Sequence, residues 1–278
     1  MKETKAEHLQ IEKLHPFEGH PFKVVDNEEM DQLVESIRTQ GVLNPVVVRL
    51  IENGEYEVIS GHRRLHACKK AGMETIPALV MDMDRDAAAI ALVDSNLHRE
   101  HILPSEKAFA YKLKMDAMRH QGASGQVGQK WTRDSIAEGT DDSSRQIHRY
   151  IRLTNLIPGI LQMVDDGKIA LTPAVEISYL TKQEQIDLLE TMECEDCTPS
   201  LSQAMQMKQL SQSGELDMDT IFGILTQLKP NQQEKISFKV SELRSYFPRS
   251  YTASQMTRDI LKGLELLRQR REQNRDSR

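Results

Sequence analysis

The sequence predicts an α+β protein, mainly helical overall: a small α/β unit, then an all-helical region, then a short strand-helix element. Three observations predict it. A β-branched run, NPVVVRLI, is joined through Asn53-Gly54 to an alternating run, EYEVIS, which reads as a hairpin. Beyond Pro104 apolar residues recur at helical spacing, and 5% aromatic content argues against a β-sandwich. Near the end, KISFKVSEL reads as a strand ahead of an amphipathic helix from Ser254 to Gln273, with Met256, Ile260, Leu264 and Leu267 on one face.

The α/β unit opens with IEKLHPF and a charged stretch. Asn27 then caps a helix from Glu28 to Thr39 that carries Met30, Leu33, Val34 and Ile37 on one face, and Gly41 ends it. After the hairpin, the second strand stops at Ser60 and passes through Gly61 into a helix, RRLHACKKAG, closed by Gly72. ETIPALVMD is a further strand. Two helices follow, Arg85 to Leu97 behind Asp84, with Ala88, Ala91 and Leu92 inward, and Pro104 to His120. Proline stands at the first helical position, where its missing N–H costs least.

In the helical region, the stretch from Trp131 to Leu156 has the pattern of a helix-turn-helix. Thr132 caps a short helix from Arg133 to Glu138 with Ile136 and Ala137 inward, and Gly139 turns the chain. The Asp142/Ser143/Ser144 cluster caps a second helix from Ser144 to Thr154. At about 100° per residue, Arg145, Arg149 and Arg152 line one edge while Ile147, Tyr150 and Ile151 fall opposite. Such a second helix offers its first turns to the major groove: Ser143, Ser144, Gln146 and His148 reach base edges, and the arginines reach phosphates or guanine. Double-stranded DNA is the partner this predicts; the structural alternative is an amphipathic surface helix with solvated arginines. Asp141 stands where such turns often carry glycine. Further helices are expected from Pro158 toward Val164, after which Asp166-Gly167 turns the chain before IALTPAVEISYL, from Thr181 to Met192 with Ile186, Leu189 and Met192 inward, from Ser200 to Leu210, and from Met218 to Leu228, stopped by Pro230.

Charge confines any DNA contact to local patches. Lys and Arg number 36 against 42 Asp and Glu, a formal net charge of −6, so the average charge does not attract a polyanion. The tail from Arg258 to Arg278 is the exception, with seven basic residues against four acidic ones. No apolar run reaches the roughly 20 residues of a membrane span, and MKETKAEHLQ is too polar for a signal peptide, so a cytoplasmic location without membrane contact is expected. Cys68, Cys194 and Cys197 suit a reducing compartment. Cys194 and Cys197 have zinc-like spacing but no second pair, and His98 and His101 lack a third ligand, so both are read as non-metal.

Gly61, His62, Arg63 and Arg64 form a second motif. A strand, a glycine and a helix start suit an anion: free N–H groups leave the helix end, glycine permits close approach, and two guanidiniums grip oxygens. Asn96, Arg99 and Glu100, at a helix end before Pro104, can complete a pocket facing it. The structural alternatives are solvated arginines and a polar hinge.

Taken together, SIRTQGVLNPVVVR, EYEVISGHRRLHACKKAGMETIPALV, DSNLHREHILPSEKAFAY, the helix-turn-helix and IPGILQMVDDGKIALTPAVEIS resemble the ParB partition-protein family over most of residues 10 to 190. The branch of plasmids and mobile elements of Gram-positive bacteria is the nearer likeness. The resemblance implies a ParB/sulfiredoxin-like N-terminal domain with a pocket for CTP and Mg2+. It puts Gly61, Arg63 and Arg64 on the triphosphate, with His62 in place of the usual glutamate. It also aligns Ser95, Asn96 and Arg99 with a Glu-Asn-x-x-Arg motif, Asn96 being the residue nearest a magnesium ion. Serine cannot replace a carboxylate base, so at most slow CTP hydrolysis is expected.

The resemblance further implies a homodimer joined near its C-terminus and a centromere-like (parS-type) site. It implies a flexible link at residues 121–130 that lets two subunits close as a CTP-gated clamp, and a ParA-type ATPase partner. That ATPase is often stimulated through an arginine-bearing tail, where MKETKAEHLQ has lysines only. The domains expected are residues 1–103 for nucleotide, 104–197 for DNA, 198–235 as helical linker and 236–278 for dimerisation. Two competing functions are a helix-turn-helix transcription regulator without nucleotide use, and a ParB-fold phosphotransferase or nuclease using His98, Glu100 and His101.

Overall fold

Five short strands organise the first half of the computed structural model: β1 (Glu7–Gln10), β2 (Leu14–Pro16), β3 (Val46–Leu50), β4 (Tyr56–Ser60) and β5 (Thr75–Met81). They form one mixed sheet in the order β1-β5-β3-β4-β2. The structure describes residues 6–99, 101–121, 134–226, 243, 246–248 and 250–276. Residues 1–227 make one compact unit and 228–278 another.

β3 and β4 pair antiparallel across the Asn53-Gly54 turn, where both residues take positive φ, 75° and 74°. That is the backbone a tight hairpin of this hand demands. β5 lies parallel to β3, and β2 parallel to β4. IEKLHPF, assigned no element from its sequence, supplies β2 and buries Ile11 and Leu14. The alternation expected in EYEVIS does not hold: Glu57, Val58 and Ile59 are all buried, because helices cover both faces of β4. Glu57 tolerates burial because Arg49 Nε donates to it at 2.6 Å and the Glu18 N–H at 3.2 Å.

α1 (Glu28–Gln40) starts at Asn27, whose side chain accepts the Met30 N–H, and α2 (His62–Ala71) ends at Gly72 in the left-handed region. Met30, Val34 and Ile37 of α1 and Leu65 of α2 cover one sheet face. Each such buried side chain contributes about 1.5–3 kcal/mol. α3 (Arg85–Asn96) and α4 (Pro104–His120) cover the other face around Phe17, Phe22 and Ile59. Three cores share α4. Ala110 and Ala117 join the α3 side, Tyr111 and Met115 meet Ile136 and Ile147, and Ala108 meets Leu153 and Ile160.

The remaining helices of this unit are a short α5 at residues 134–138, α6 (Ser144–Leu153), α7 (Pro158–Asp165), α8 (Leu171–Ile177), α9 (Lys182–Cys194), α10 (Leu201–Ser213) and α11 (Met218–Thr226). The inward face expected for α9 is rotated. Ile186 is 40% exposed, while Gln185, Leu188 and Met192 point inward. Gln185 is buried at no loss because its amide bonds the Ile157 N–H and the carbonyls of Asn155 and Leu180. No disulfide joins Cys68, Cys194 and Cys197.

In the second unit, α12 (Ala253–Asp276) buries Met256, but Leu261, Leu264 and Leu267 are more than half exposed, at 63%, 57% and 51%. The expected strand KISFKVSEL lies outside the described residues except for Leu243, which is helical. The expected link at 122–130, the cap at Thr132, Glu100 and the stop at Pro230 also lie outside them. Among the described residues no helix is long and apolar enough to cross a membrane.

Candidate functional site

Gly61 fixes the first candidate site. Its φ of 103° is left-handed, and an added Cβ would stand 2.7 Å from Val46 Cγ1, so both backbone and space require glycine. α2 begins there with no side-chain cap, which leaves its first-turn N–H groups to water or a ligand.

The two arginines that follow do different things. Arg63 pairs with the exposed Glu29 at 3.1 Å. Arg64 turns away and donates to the backbone carbonyls of Asn44 and, at 2.7 Å, Pro45, bracing the turn between α1 and β3. Arg99 lies 5.5 Å over the Phe22 ring. Burial lowers its pKa, Glu106 opposes that, and the charge of Arg63 adds to it, so Arg63 and Arg99 share one field.

Beside them, the rings of His62 and His20 stack at 3.7 Å between centroids. Burial, then His20 and Arg99, pushes the His62 pKa down to about 3, and its Nε2 accepts the Phe17 N–H at 3.5 Å. Burial also lowers His20, whose Nε2 is buried without a partner among the described residues. Both rings are therefore neutral acceptors or donors in a cationic surrounding. The segment from Phe17 to Phe22 was missed from sequence; the one available signal was a histidine between two phenylalanines in a polar stretch.

Ser95 and Asn96 bond to the helix that carries them. Asn96 is buried and donates to the Leu92 carbonyl at 2.8 Å and to Ser95 Oγ at 3.2 Å, and Ser95 Oγ donates to the same carbonyl at 2.9 Å. Asp94 is held by Lys114, away from the pair. The structure thus gathers His62, Arg63 and Arg99, and aims Arg64 elsewhere. Among the described residues no three His, Cys, Asp or Glu side chains could hold a metal ion.

The second candidate site is α6. Ser143 caps it by accepting the Gln146 N–H at 3.3 Å. Asp142, expected to share the capping, does not. Its carboxylate accepts from Tyr111 Oη at 2.6 Å and Lys107 Nζ at 2.9 Å, which ties the turn to α4. Burial, then this carboxylate, drives the Tyr111 pKa far up. The anchored Asp142 holds the turn that lacks glycine at Asp141.

Ile147 is fully buried against Ile136 and Tyr111. Ser143, Arg145 and His148 are exposed, and Ser144, Gln146, Arg149 and Arg152 are half-buried. Arg149 donates to Gln146 Oε1 at 3.1 Å and to Thr172 Oγ1 at 2.5 Å. Arg152 donates to the Ser178 carbonyl at 2.8 Å and lies 3.9 Å over the Tyr179 ring, so it fastens α6 to the end of α8.

Residues 1–97 match the ParB N-terminal domain. A nucleoid occlusion protein from Listeria innocua is 33% identical over 187 residues, covering 66% of this chain and 62% of that protein. A probable chromosome-partitioning protein ParB from Vibrio cholerae is 27% identical over 260 residues, covering 93% of this chain and 84% of that protein. Crystal structures of a C-terminally truncated ParB from Caulobacter crescentus are also similar. One, with the centromeric parS site, is 21% identical, covers 74% of this chain and 99% of that one, and has a TM-score of 0.43. The other, with CTP-gamma-S, is 24% identical, covers 68% and 98%, and has a TM-score of 0.32. The chain spans about three-fifths of the length of the nucleoid occlusion proteins it matches. Residues 1–97 are thus a ParB N-terminal domain, and the chain is similar to chromosome-partitioning ParB and nucleoid occlusion proteins.

Proposed function

We propose that the chain is a sequence-specific DNA-binding partition protein. In this reading a homodimer recognises a centromere-like duplex site and uses CTP to gate a clamp for the segregation of a chromosome, plasmid or mobile element. The observation that carries it is the position of α4. This helix packs its Ala110 and Ala117 in one core with Ala88 and Leu92 of α3, the helix that leads to Asn96 and Arg99, and its Tyr111 and Lys107 hold Asp142 at the start of α6. A ligand that moves the end of α3 therefore acts on the helix that reads DNA, which is a physical route for coupling. The chromosome-partitioning and nucleoid occlusion names of the relatives support a role on DNA.

At the nucleotide end, the residues fit a polyphosphate. The free N–H groups of α2, close approach at Gly61, the cations Arg63 and Arg99 and the orphaned His20 nitrogen all answer negative charge or lone pairs. CTP, when bound, supplies the polyanion that these donors hold. A magnesium ion beside Asn96 would take most of its oxygens from phosphate and water. Ser95 spends its proton on the Leu92 carbonyl and has no carboxylate chemistry, so hydrolysis is at most slow.

At the other end, Ser143, Ser144, Arg145, Gln146, His148 and Arg149 read base edges and phosphates while Arg152 holds α6 in place. α12, with its exposed leucines, serves dimerisation, and a ParA-type ATPase is a further partner of the reading. Sequencing the DNA that co-purifies with the protein tests it. One short inverted repeat, as two half-sites of a dimer require, is the expected result, and fragments at their genomic average overturn it. Site binding that ignores CTP indicates a regulator instead; phosphoryl transfer to a small molecule indicates an enzyme.

A further inference from the structure

A groove of about 270 Å³ runs between α4 and α6. Lys112, Met115 and Arg119 line one side; His148, Arg152 and Asn155 line the other. Among the described residues no carboxylate lines it. Asp116, half exposed, is the acid that competes most directly, pairing with Arg119 Nη1 at 3.3 Å.

Arg119 is short of acceptors. Beyond Asp116, its Nη2 meets Met115 Sδ, a weak acceptor, at 3.6 Å, and its Nε is buried with no partner among the described residues. A guanidinium carries five N–H donors, so most of its capacity is unused. Lys112 is exposed and makes no ion pair among the described residues. These two cations are two helical turns apart on one face of α4, about 10 Å along the axis. That length spans about three phosphates of one DNA strand. The groove opens beside His148, which belongs to the exposed edge of α6 that also carries Arg145.

Resting on the DNA-binding reading above, we infer that this groove seats the duplex backbone, with Lys112 and Arg119 as phosphate contacts supplied by a helix outside the helix-turn-helix. Phosphate contacts fix register and orientation, and base contacts supply sequence. α4 thus sets how α6 lies in the groove that it reads, and it does so on any sequence.

The test titrates full-length protein and its Lys112→Ala/Arg119→Ala variant against the recovered duplex and a scrambled copy of it. Two lost phosphates lower the slope of log affinity against log salt by about 1.8. Between about 50 and about 200 mM salt the variant should therefore lose roughly tenfold less affinity than wild type, equally on both duplexes. Lys112→Ala alone, which removes no ion pair among the described residues, should give half that change in slope and separates the effect from misfolding. Wild-type binding with unchanged slopes in the variants removes the groove and leaves the proposed function standing. A loss confined to the recovered duplex, or a fall in CTP affinity with unchanged slopes, also overturns it, the latter assigning the seat to nucleotide phosphate. Wild type that binds neither duplex removes the DNA reading and the groove together.

Discussion

The start of α2 and the exposed edge of α6 are both rich in arginine, and each divides its arginines between bracing the fold and reaching outward. At α2, Arg64 is bonded to backbone carbonyls of Asn44 and Pro45 and Arg63 to an exposed carboxylate. At α6, Arg152 is bonded to the Ser178 carbonyl and stacked on Tyr179, while Arg145 stays exposed. The acceptor decides the role. A partly buried bond from a charged donor to a carbonyl is worth about 1.5–3 kcal/mol, whereas an exposed ion pair is worth about 0–1 kcal/mol and yields readily to a polyanion. Arginine spacing alone does not separate a bracing residue from a contacting one.

The strongest way to break the comparison is at Gly61. Gly61→Ala combines left-handed backbone strain with the collision at Val46 and should destabilise the protein by about 2–5 kcal/mol in urea unfolding. An unchanged midpoint would mean that the glycine serves only a ligand. Next, Arg63→Ala should abolish CTP binding in calorimetry at unchanged melting temperature, while Arg64→Ala should lower the melting temperature. Reversed outcomes would exchange the roles. On α6, Arg149→Ala should weaken specific duplex binding by about 1–3 kcal/mol in gel-shift titrations. Arg152→Ala should instead cost about 1–2 kcal/mol of folding stability and keep discrimination between duplexes.

The last effect is one of pH. His62 has a folded pKa of about 3 against an ordinary 6.5, so below pH 6.5 the unfolded chain binds a proton that the folded one refuses. The contribution is complete above pH 6.5 and is lost as pH falls toward 3. His62→Gln should flatten the decline in melting temperature between pH 7 and pH 5, set by that shift; an equally steep decline would assign the acid sensitivity to other groups.

What could be read from sequence was what short-range rules govern. Gly61 and Gly72 around α2, Pro104 at the start of α4 and Ser143 before α6 act within a few residues, and each stands at the end its chemistry requires. The rotated face of α9 was not legible, because Gln185 looks polar until the three backbone groups that satisfy it are brought together. The His20–His62 stack and the Arg152–Tyr179 contact likewise join residues far apart in the chain. The double use of Asp142 was hidden for a related reason: it sits in a capping cluster, but its partners are on α4.

The central claim, that α4 links the two arginine-rich ends, is tested most directly by titration calorimetry of CTP with and without the recovered duplex, paired with duplex titrations with and without CTP. Binding free energies are reciprocal, so the duplex should change CTP affinity severalfold and CTP should change duplex affinity by the same factor. CTP and duplex affinities that are each indifferent to the other ligand would contradict the account.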